Sequence, residues 1–310
     1  MMDPGTPFFP KVMQPKKYHW LFLHFLGLAF SLMNRVRHSV LGYRTPRPFR
    51  SDQIDRSIDY CLEVVGNWEK WLKIYTQRER PFYDKHILEM GPGPDLGTGL
   101  ILLALGAKSY CAVDRNELAS QAPGEFYERL FERIRYFPEF ESARKVFRQF
   151  QEEGTDRFTY SYDPDLDLRK LPSKKYQILV TQAVLEHLRD VRNVFGMLRQ
   201  KLSRDSLMLN EVDLSTHTRF IRDVDPLNIL RYSETFYSFL RFRESPNRLR
   251  MGDYELFLNQ LGYKNIRTFP IKILDLDYTQ WVSKHISRKF KDYSHSELRV
   301  LSFYLLASTN

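Results

Sequence analysis

The apolar positions of this chain follow two different spacings, and together they predict an α/β protein. Between residues 54 and 75 apolar side chains recur every three to four positions, which is typical of an amphipathic helix. Short apolar runs such as residues 86–90 and 109–113 are instead typical of buried strands. Strands that alternate with helices in this way belong to parallel sheets with helices packed on both faces.

The complete pattern contains seven candidate strands. Five alternate with helices and two stand near the C-terminal end, at residues 86–90, 109–113, 158–162, 176–181, 206–212, 264–273 and 300–307. We therefore predict a Rossmann-like, mostly parallel, seven-stranded sheet with helices on both faces. Two segments depart from the simple alternation: residues 115–157 have the rhythm of two helices in one crossover, and residues 218–250 form an aromatic, arginine-rich helical cap insertion.

The N-terminal region differs from the rest in charge, and we divide the chain into an arm of residues 1–80 and a core of residues 81–310. The net charge is +9, but residues 1–50 hold eight Lys and Arg against one acid, so residues 51–310 carry only +2. A broad nucleic-acid-binding face is therefore not expected. The cysteines, Cys61 and Cys111, are too few for a disulfide framework and fit a reducing, cytoplasmic location.

Residues 20–33 of the arm form an apolar helical run flanked by basic residues. The run is shorter than the ~20 residues that a membrane-spanning helix needs, and no cleavage-site pattern follows it, so a signal peptide is not expected. One interpretation is a lid that packs over the pocket of the core. The other is an interfacial helix through which residues 11–40 contact an anionic membrane.

A glycine-rich turn follows the first strand, in the sequence Glu89-Met90-Gly91-Pro92-Gly93. Glycines let the backbone approach a ligand closely, and the helix that follows offers free N–H groups to an anionic group. Asp114 ends the next strand, where a carboxylate accepts hydrogen bonds from ribose hydroxyls. The sequence therefore predicts a nucleoside-containing ligand at the carboxyl edge of the sheet.

Several common nucleotide and metal motifs are missing from the sequence. In the dinucleotide pattern G-x-G-x-x-G the third glycine position is occupied by Leu96. The chain has no Tyr-x-x-x-Lys pair, no phosphate-binding P-loop, and none of the usual zinc-ligand spacings, so no metal site is predicted.

The turn at residues 89–93, Asp114 and the segment Thr181-Gln-Ala-Val-Leu-Glu-His187 together resemble the class I S-adenosylmethionine-dependent methyltransferases. The nearest resemblance is to the small-molecule branch that contains the ubiquinone-biosynthesis enzymes, and it covers residues 84–213. It implies S-adenosylmethionine as the cofactor and an antiparallel last strand. It also implies methylation of a small-molecule, lipid or saccharide acceptor, with oxygen as the expected atom and in-line displacement as the mechanism.

The resemblance implies a role for each matching residue. Glu89, Gly91 and Gly93 would surround the methionine moiety, and Asp114 would hold the ribose. Asp163 would contact the adenine, with Asp165 and Asp167 as alternatives, and Gln182 and Ala183 would close the site beneath the sulfonium.

Acceptor activation calls for a group that removes a proton, and two histidines follow strand ends near the expected pocket. His217 is the preferred general base, whereas His187 is more simply explained as a residue that frames the pocket. Arg248 and Arg250 are the candidate anchors for an anionic acceptor, although the cap could equally be a helical hairpin with arginines outside.

Two other functions stay open on the sequence alone. The glycine turn could belong to an NAD(P)-dependent oxidoreductase, or the chain could be a non-catalytic nucleotide-binding member of the same fold.

Overall fold

A computed structural model describes residues 19–42, 49–172 and 175–310, together with Pro7 and Pro10, and Arg219 by its backbone alone. Seven strands form one sheet: β1 (His86–Met90), β2 (Ser109–Asp114), β3 (Phe158–Tyr162), β4 (Tyr176–Gln182), β5 (Leu202–Asp213), β6 (Lys264–Ile273) and β7 (Val300–Ser308). The strand order is β3-β2-β1-β4-β5-β7-β6. All neighbours pair parallel except β7, which runs antiparallel to both β5 and β6. The predicted sheet and its antiparallel last strand are confirmed.

Helices pack around the sheet. They are α1 (His19–Ser39), α2 (Ile54–Thr76), α3 (Gly97–Ala104), α4 (Gly124–Ile134), α5 (Phe140–Glu152), α6 (Val191–Lys201), α7 (Arg219–Val224), α8 (Glu234–Leu240), α9 (Met251–Gln260), α10 (Leu276–Ser283) and α11 (His295–Arg299). Residues 115–157 thus contain α4 and α5, and the cap insertion contains α7 and α8.

Alternate residues of the strands build two separate cores, because successive side chains of a strand point to opposite faces. Ile87 and Ala112 pack on one face with the apolar stripes of α2, α3, α4 and α5. Leu88 and Val113 pack on the other face, against α6 and α9. Helices therefore cover both faces, as predicted.

Helix α1 packs on the cap rather than on the sheet. The side chain of Asn228 donates a hydrogen bond to the carbonyl of Leu23, and Tyr232 donates one to the carbonyl of His24. Gly27 permits this approach, since a Cβ there would lie 2.0 Å from Oδ1 of Asn228. Helix α1 therefore lies against the cap, and its role as a lid stays a prediction.

The outward side of α1 carries large exposed apolar side chains. Phe22 is 63% exposed, Phe25 61% and Leu41, just beyond the helix, 73%. None of the helices in the described ranges is both long and apolar enough to cross a membrane. Membrane contact through residues 11–40 stays a prediction, and residues 11–18 lie outside the described part of the chain.

A buried ion pair organises the cap beneath α1. Asp225 accepts hydrogen bonds from Nε of Arg231 at 2.7 Å, from the hydroxyl of Tyr278 at 2.6 Å and from the amide of Asn228 at 2.8 Å. The side chains of Asp225 and Arg231 are 0% exposed. Such a pair is a strong constraint on the fold because removing one partner leaves the other charge uncompensated.

We expect Asp225→Ala to lower the free energy of unfolding by about 3–5 kcal/mol, because Arg231 would remain buried without its counter-ion. The matched control is Asp55→Ala, which breaks a solvent-exposed pair with Arg129 and should change stability by less than about 1 kcal/mol. Urea unfolding of both variants measures the difference, and a similar small loss in both would contradict this role of the pair.

Candidate functional site

A cavity of about 350 Å³ opens at the carboxyl edge of β1, β2 and β4; we call it the donor cavity. Its volume falls within the range of small-molecule pockets. Seven residues singled out in the sequence line it: Glu89, Gly91, Gly93, Asp114, Gln182, Ala183 and His187. The predicted ligand edge of the sheet is therefore an open pocket that contains most of the predicted side chains.

The glycine turn forms the floor of the donor cavity. Gly91 and Gly93 have φ angles of 78° and 79°, a region that favours glycine. A Cβ on Gly91 would also lie 2.5 Å from Cγ2 of Val184, which follows β4. The turn can therefore pack closely against β4 only with glycine at this position.

Glu89 is a buried carboxyl group at the end of β1. One of its oxygens accepts hydrogen bonds from Thr98 at 2.6 Å and from the hydroxyl of Tyr110 at 2.7 Å. Burial raises the pKa of Glu89 to about 7, although these two hydrogen bonds oppose the rise. A cationic group in the cavity would favour the ionised form, so Glu89 is suited to an ammonium ligand.

Asp114 faces the same cavity from the end of β2. Its two carboxylate oxygens accept backbone hydrogen bonds, from Gly93 at 3.1 Å and from Asn116 at 3.0 Å. Burial raises its pKa, and these backbone bonds oppose the shift. The carboxylate is thus fixed in orientation and keeps lone pairs for hydroxyl donors.

Gln182 and Ala183 form the edge of the cavity at the end of β4. The side-chain amide of Gln182 donates to Glu211, and the backbone N–H of Ala183 donates to the carbonyl of Glu211 at 3.0 Å. Ala183 adopts a φ of 52°, which turns the chain away from the sheet. β5 therefore holds the residues that border the cavity on this side.

A second cavity of about 790 Å³ adjoins the donor cavity; we call it the acceptor cavity. Both cavities are lined by Tyr60, Pro94, His187 and Glu244, so they meet at these residues. Helix α1 and the cap supply much of the wall of the acceptor cavity, and His217 lines it too. The larger cavity is thus positioned to hold a second molecule beside a ligand in the donor cavity.

The two histidines lie next to each other where the cavities meet. Their ring centroids are 4.8 Å apart. Nδ1 of His187 bonds the carbonyl of Glu244 at 2.6 Å, and Nδ1 of His217 bonds the carbonyl of Ser215 at 2.9 Å. A carbonyl only accepts, so each Nδ1 carries the proton and each Nε2 keeps a lone pair.

Burial keeps both histidines largely neutral. It lowers the pKa of His187 to about 4, with repulsion from His217 adding to the effect. Burial also lowers the pKa of His217, although the carboxylate of Asp213 opposes this. Neutral imidazoles with free Nε2 atoms can accept a proton or bind a cation.

Comparisons with known proteins find likeness in structure alone. No family model and no curated protein matches the chain. Among solved structures, the CurJ carbon methyltransferase is 14% identical, with 94% of this chain and 68% of that one covered at a TM-score of 0.47. Magnesium protoporphyrin IX methyltransferase (ChlM) from Synechocystis PCC 6803, with bound SAH, is 15% identical over 95% and 99% of the two chains, with a TM-score of 0.42. A putative S-adenosylmethionine-dependent methyltransferase from Listeria monocytogenes is 11% identical over 74% and 92%, at 0.40.

Identities and TM-scores at this level do not establish a shared activity. The last strand, β7, lies between β5 and β6 and runs antiparallel to both. The sequence resemblance implies a sheet that ends in this way. The sheet is therefore that of the Rossmann-like methyltransferase fold implied by the resemblance.

Within this methyltransferase fold, the structure corrects the placement of Asp163. Asp163 accepts hydrogen bonds from the backbone N–H groups of Asp165 and Asp167 and pairs with the ammonium of Lys170. Its carboxylate therefore caps the loop after β3 instead of lining the donor cavity. The residue of this loop that does line the cavity is Leu166, an apolar side chain that no polar motif would reveal.

Arg248 and Arg250 also need correction, because both are buried structural residues. Arg248 donates to the carbonyls of Ile229 and Tyr232 and pairs with Glu234. Arg250 is 0% exposed and donates to the carbonyls of Leu214 and Val300. Neither lines the donor or the acceptor cavity: Arg248 holds parts of the cap together, whereas Arg250 joins the end of the cap to β7.

Some lining residues were missed because their signals are weak in sequence. Tyr60 belongs to α2, whose amphipathic pattern explains only its buried side. Glu244 lies in an irregular segment after α8. Glu186, which lines neither cavity, was visible in the Leu-Glu-His segment, but its burial was not predictable, since the carboxyl groups of glutamates are usually solvated.

We expect the affinity for S-adenosylhomocysteine, which carries an ammonium group, to fall by about tenfold per pH unit below pH 7. The pKa of Glu89 is about 7 in the ligand-free protein. An ammonium ligand favours ionised Glu89, so binding below this pH must release a proton. Titration calorimetry at pH values from about 5.5 to 8, which lie on both sides of that pKa, measures how the affinity changes with pH.

The Glu89→Gln variant cannot ionise and should bind more weakly, without this pH slope. Asp95→Asn is the matched control, because Asp95 is a buried acid nearby that does not line the donor cavity. A slope that persists in Glu89→Gln, or disappears in Asp95→Asn, would assign the pH dependence to another group.

Proposed function

We propose that this protein transfers a methyl group from S-adenosylmethionine to an oxygen atom of a small-molecule, lipid or saccharide acceptor. The observation that carries the proposal is the placement of Glu89 and Asp114 on either side of the glycine turn. Both line a donor cavity that opens into a larger second cavity. A two-substrate reaction needs two adjoining sites of this kind.

The residues present fit the cofactor by their chemistry. Glu89 offers a carboxylate to the ammonium group, and Asp114 offers one to the vicinal ribose hydroxyls. Leu166 and Leu188 supply apolar walls, and the N–H-rich start of α3 follows the turn. Charged, hydroxylated and apolar parts of one ligand therefore each find a matching part of the donor cavity.

When bound, S-adenosylmethionine supplies an electrophilic methyl group on a positively charged sulfur. The chain's own contribution is then to hold an acceptor in the acceptor cavity, at the junction with the donor cavity. Helix α1 and the cap exclude water from this junction. Positioning of this kind supplies a large part of the rate of a displacement reaction.

His217 is the residue that we propose as general base for a hydroxyl acceptor. It lines the acceptor cavity and is held by the carbonyl of Ser215, with Nε2 free to accept a proton. His187 lines both cavities and helps to position the acceptor. Its pKa of about 4 makes it the weaker base of the two.

An NAD(P)-dependent oxidoreductase is less consistent with the turn. Leu96, at the position of the third dinucleotide glycine, is buried immediately before α3. Glu89 is buried beside the first glycine, where it would repel a pyrophosphate. The acidic and apolar lining of the donor cavity thus favours a cationic nucleoside over a dinucleotide.

We expect S-adenosylhomocysteine to bind with measurable heat, whereas NAD⁺ and NADP⁺ should not bind. Asp114→Ala should weaken the binding of S-adenosylhomocysteine about 10- to 100-fold, because the hydrogen bonds of a charged acceptor are lost. The control is Asp165→Ala, an exposed acid after β3 that lies outside the donor cavity. Binding of NAD⁺ in place of S-adenosylhomocysteine would refute the proposed cofactor.

An acceptor found by labelled methyl transfer into a small-molecule extract allows the base to be tested. His217→Ala should lower kcat about 10²- to 10⁴-fold at saturating donor, with the affinity for S-adenosylhomocysteine unchanged. His295→Ala, which removes an exposed histidine of α11, should retain full turnover. A near-normal kcat in His217→Ala would exclude His217 as the base.

A further inference from the structure

Three side chains with metal-binding atoms converge near the junction of the donor and acceptor cavities. Glu186, His187 and His217 each place one ligand atom within 4.8 Å of the others. Glu186 and His187 follow β4, and His217 follows β5, so the parallel pairing of these strands brings the three together. We propose that Glu186, His187 and His217 bind one divalent transition-metal ion.

The orientation of both histidines fits this role. Each donates Nδ1–H to a backbone carbonyl, His187 to Glu244 and His217 to Ser215, and so keeps the lone pair on Nε2. Metal-binding histidines are usually held by a hydrogen bond of this type, which fixes both the tautomer and the direction of the ring. Two imidazoles are thus preset in the ligand form, with ring centroids only 4.8 Å apart.

The surroundings of Glu186 are a second observation, independent of the histidines, that points to a cation. Its side chain is 1% exposed, Oε1 lies 3.9 Å from Nε2 of His217, and neither carboxylate oxygen has a hydrogen-bond partner among the described residues. A buried polar group without a partner is costly. The adjacent acid, Asp213, is already paired with Arg222 and cannot relieve it. A cation between Glu186 and the two histidines would satisfy all three groups.

The donor set indicates the class of cation. Two imidazole nitrogens and one carboxylate oxygen suit Zn²⁺, Fe²⁺, Co²⁺ or Mn²⁺, whereas Ca²⁺ and Mg²⁺ prefer oxygen ligands throughout. His187 and His217 line the acceptor cavity, so the remaining coordination positions would face that cavity. If the proposed function holds, the cation would lower the pKa of an acceptor hydroxyl, whose proton would pass to water in the acceptor cavity because both Nε2 atoms would then be metal ligands.

Metal binding is tested on the full chain, dialysed first against chelator and then against chelator-free buffer. Co²⁺ is titrated by calorimetry and followed by its visible absorption, which changes when protein side chains replace water around the ion. The variants are Glu186→Gln and His217→Gln. The matched control is His295→Ala, and far-ultraviolet circular dichroism verifies that each protein is folded. S-adenosylhomocysteine binding is measured on the same samples.

We expect one Co²⁺ per chain, and affinity at least about tenfold lower in both variants but unchanged in His295→Ala. Failure of the folded wild-type chain to take up one equivalent would overturn the proposal, as would unchanged affinity in both variants or an equal loss in His295→Ala. If Glu186→Gln does not fold, His217→Gln decides alone. A chain that binds S-adenosylhomocysteine but no cation refutes only the metal site, whereas one that binds Co²⁺ but no S-adenosylhomocysteine refutes only the proposed function.

Discussion

The parallel register of β1, β4 and β5 is the constraint on which both cavities depend. Met90 lies opposite Thr181, and Thr181 lies opposite Asn210, so these three strands end at one edge of the sheet. The residues that follow those ends therefore meet, although they are distant in sequence. If the pairing of β1 with its neighbours slipped by one position, Glu89 would point to the opposite face of the sheet, away from Thr98 and Tyr110.

Three of the buried carboxyl groups at this edge differ in their hydrogen bonding. Glu89 accepts from two side-chain hydroxyls, Asp114 accepts from two backbone N–H groups, and Glu186 has no hydrogen-bond partner among the described residues. Burial raises the pKa of all three. The three carboxyl groups thus differ in how much a cation beside them would stabilise their ionised form, and Glu186, without a hydrogen-bond partner, would gain most.

The sequence predicted the sheet well because strand formation and burial both follow from local apolar runs. It also located Glu89, Gly91 and Gly93 in one recognisable turn, and Asp114 at the end of the next strand, all of which line the donor cavity. It misjudged Asp163, Arg248 and Arg250 because polar residues in loops look alike in sequence whether they bind a ligand or cap a backbone. The cluster around Glu186 escaped for a different reason. Its members come from two strand ends, with His187 and His217 thirty positions apart, and only strand pairing makes them neighbours.

Glu244 connects α1 with the junction of the two cavities. Its side chain pairs with His38 of α1 at 3.4 Å, and its backbone carbonyl holds Nδ1 of His187 at 2.6 Å. The neighbouring Phe242 stacks on His38 with ring centroids 3.9 Å apart. A displacement of α1 would therefore disturb the segment that fixes the orientation of His187. The wall of the acceptor cavity and the orientation of His187 are thus coupled through Glu244, so a ligand that displaced α1 would also change the geometry of the histidines.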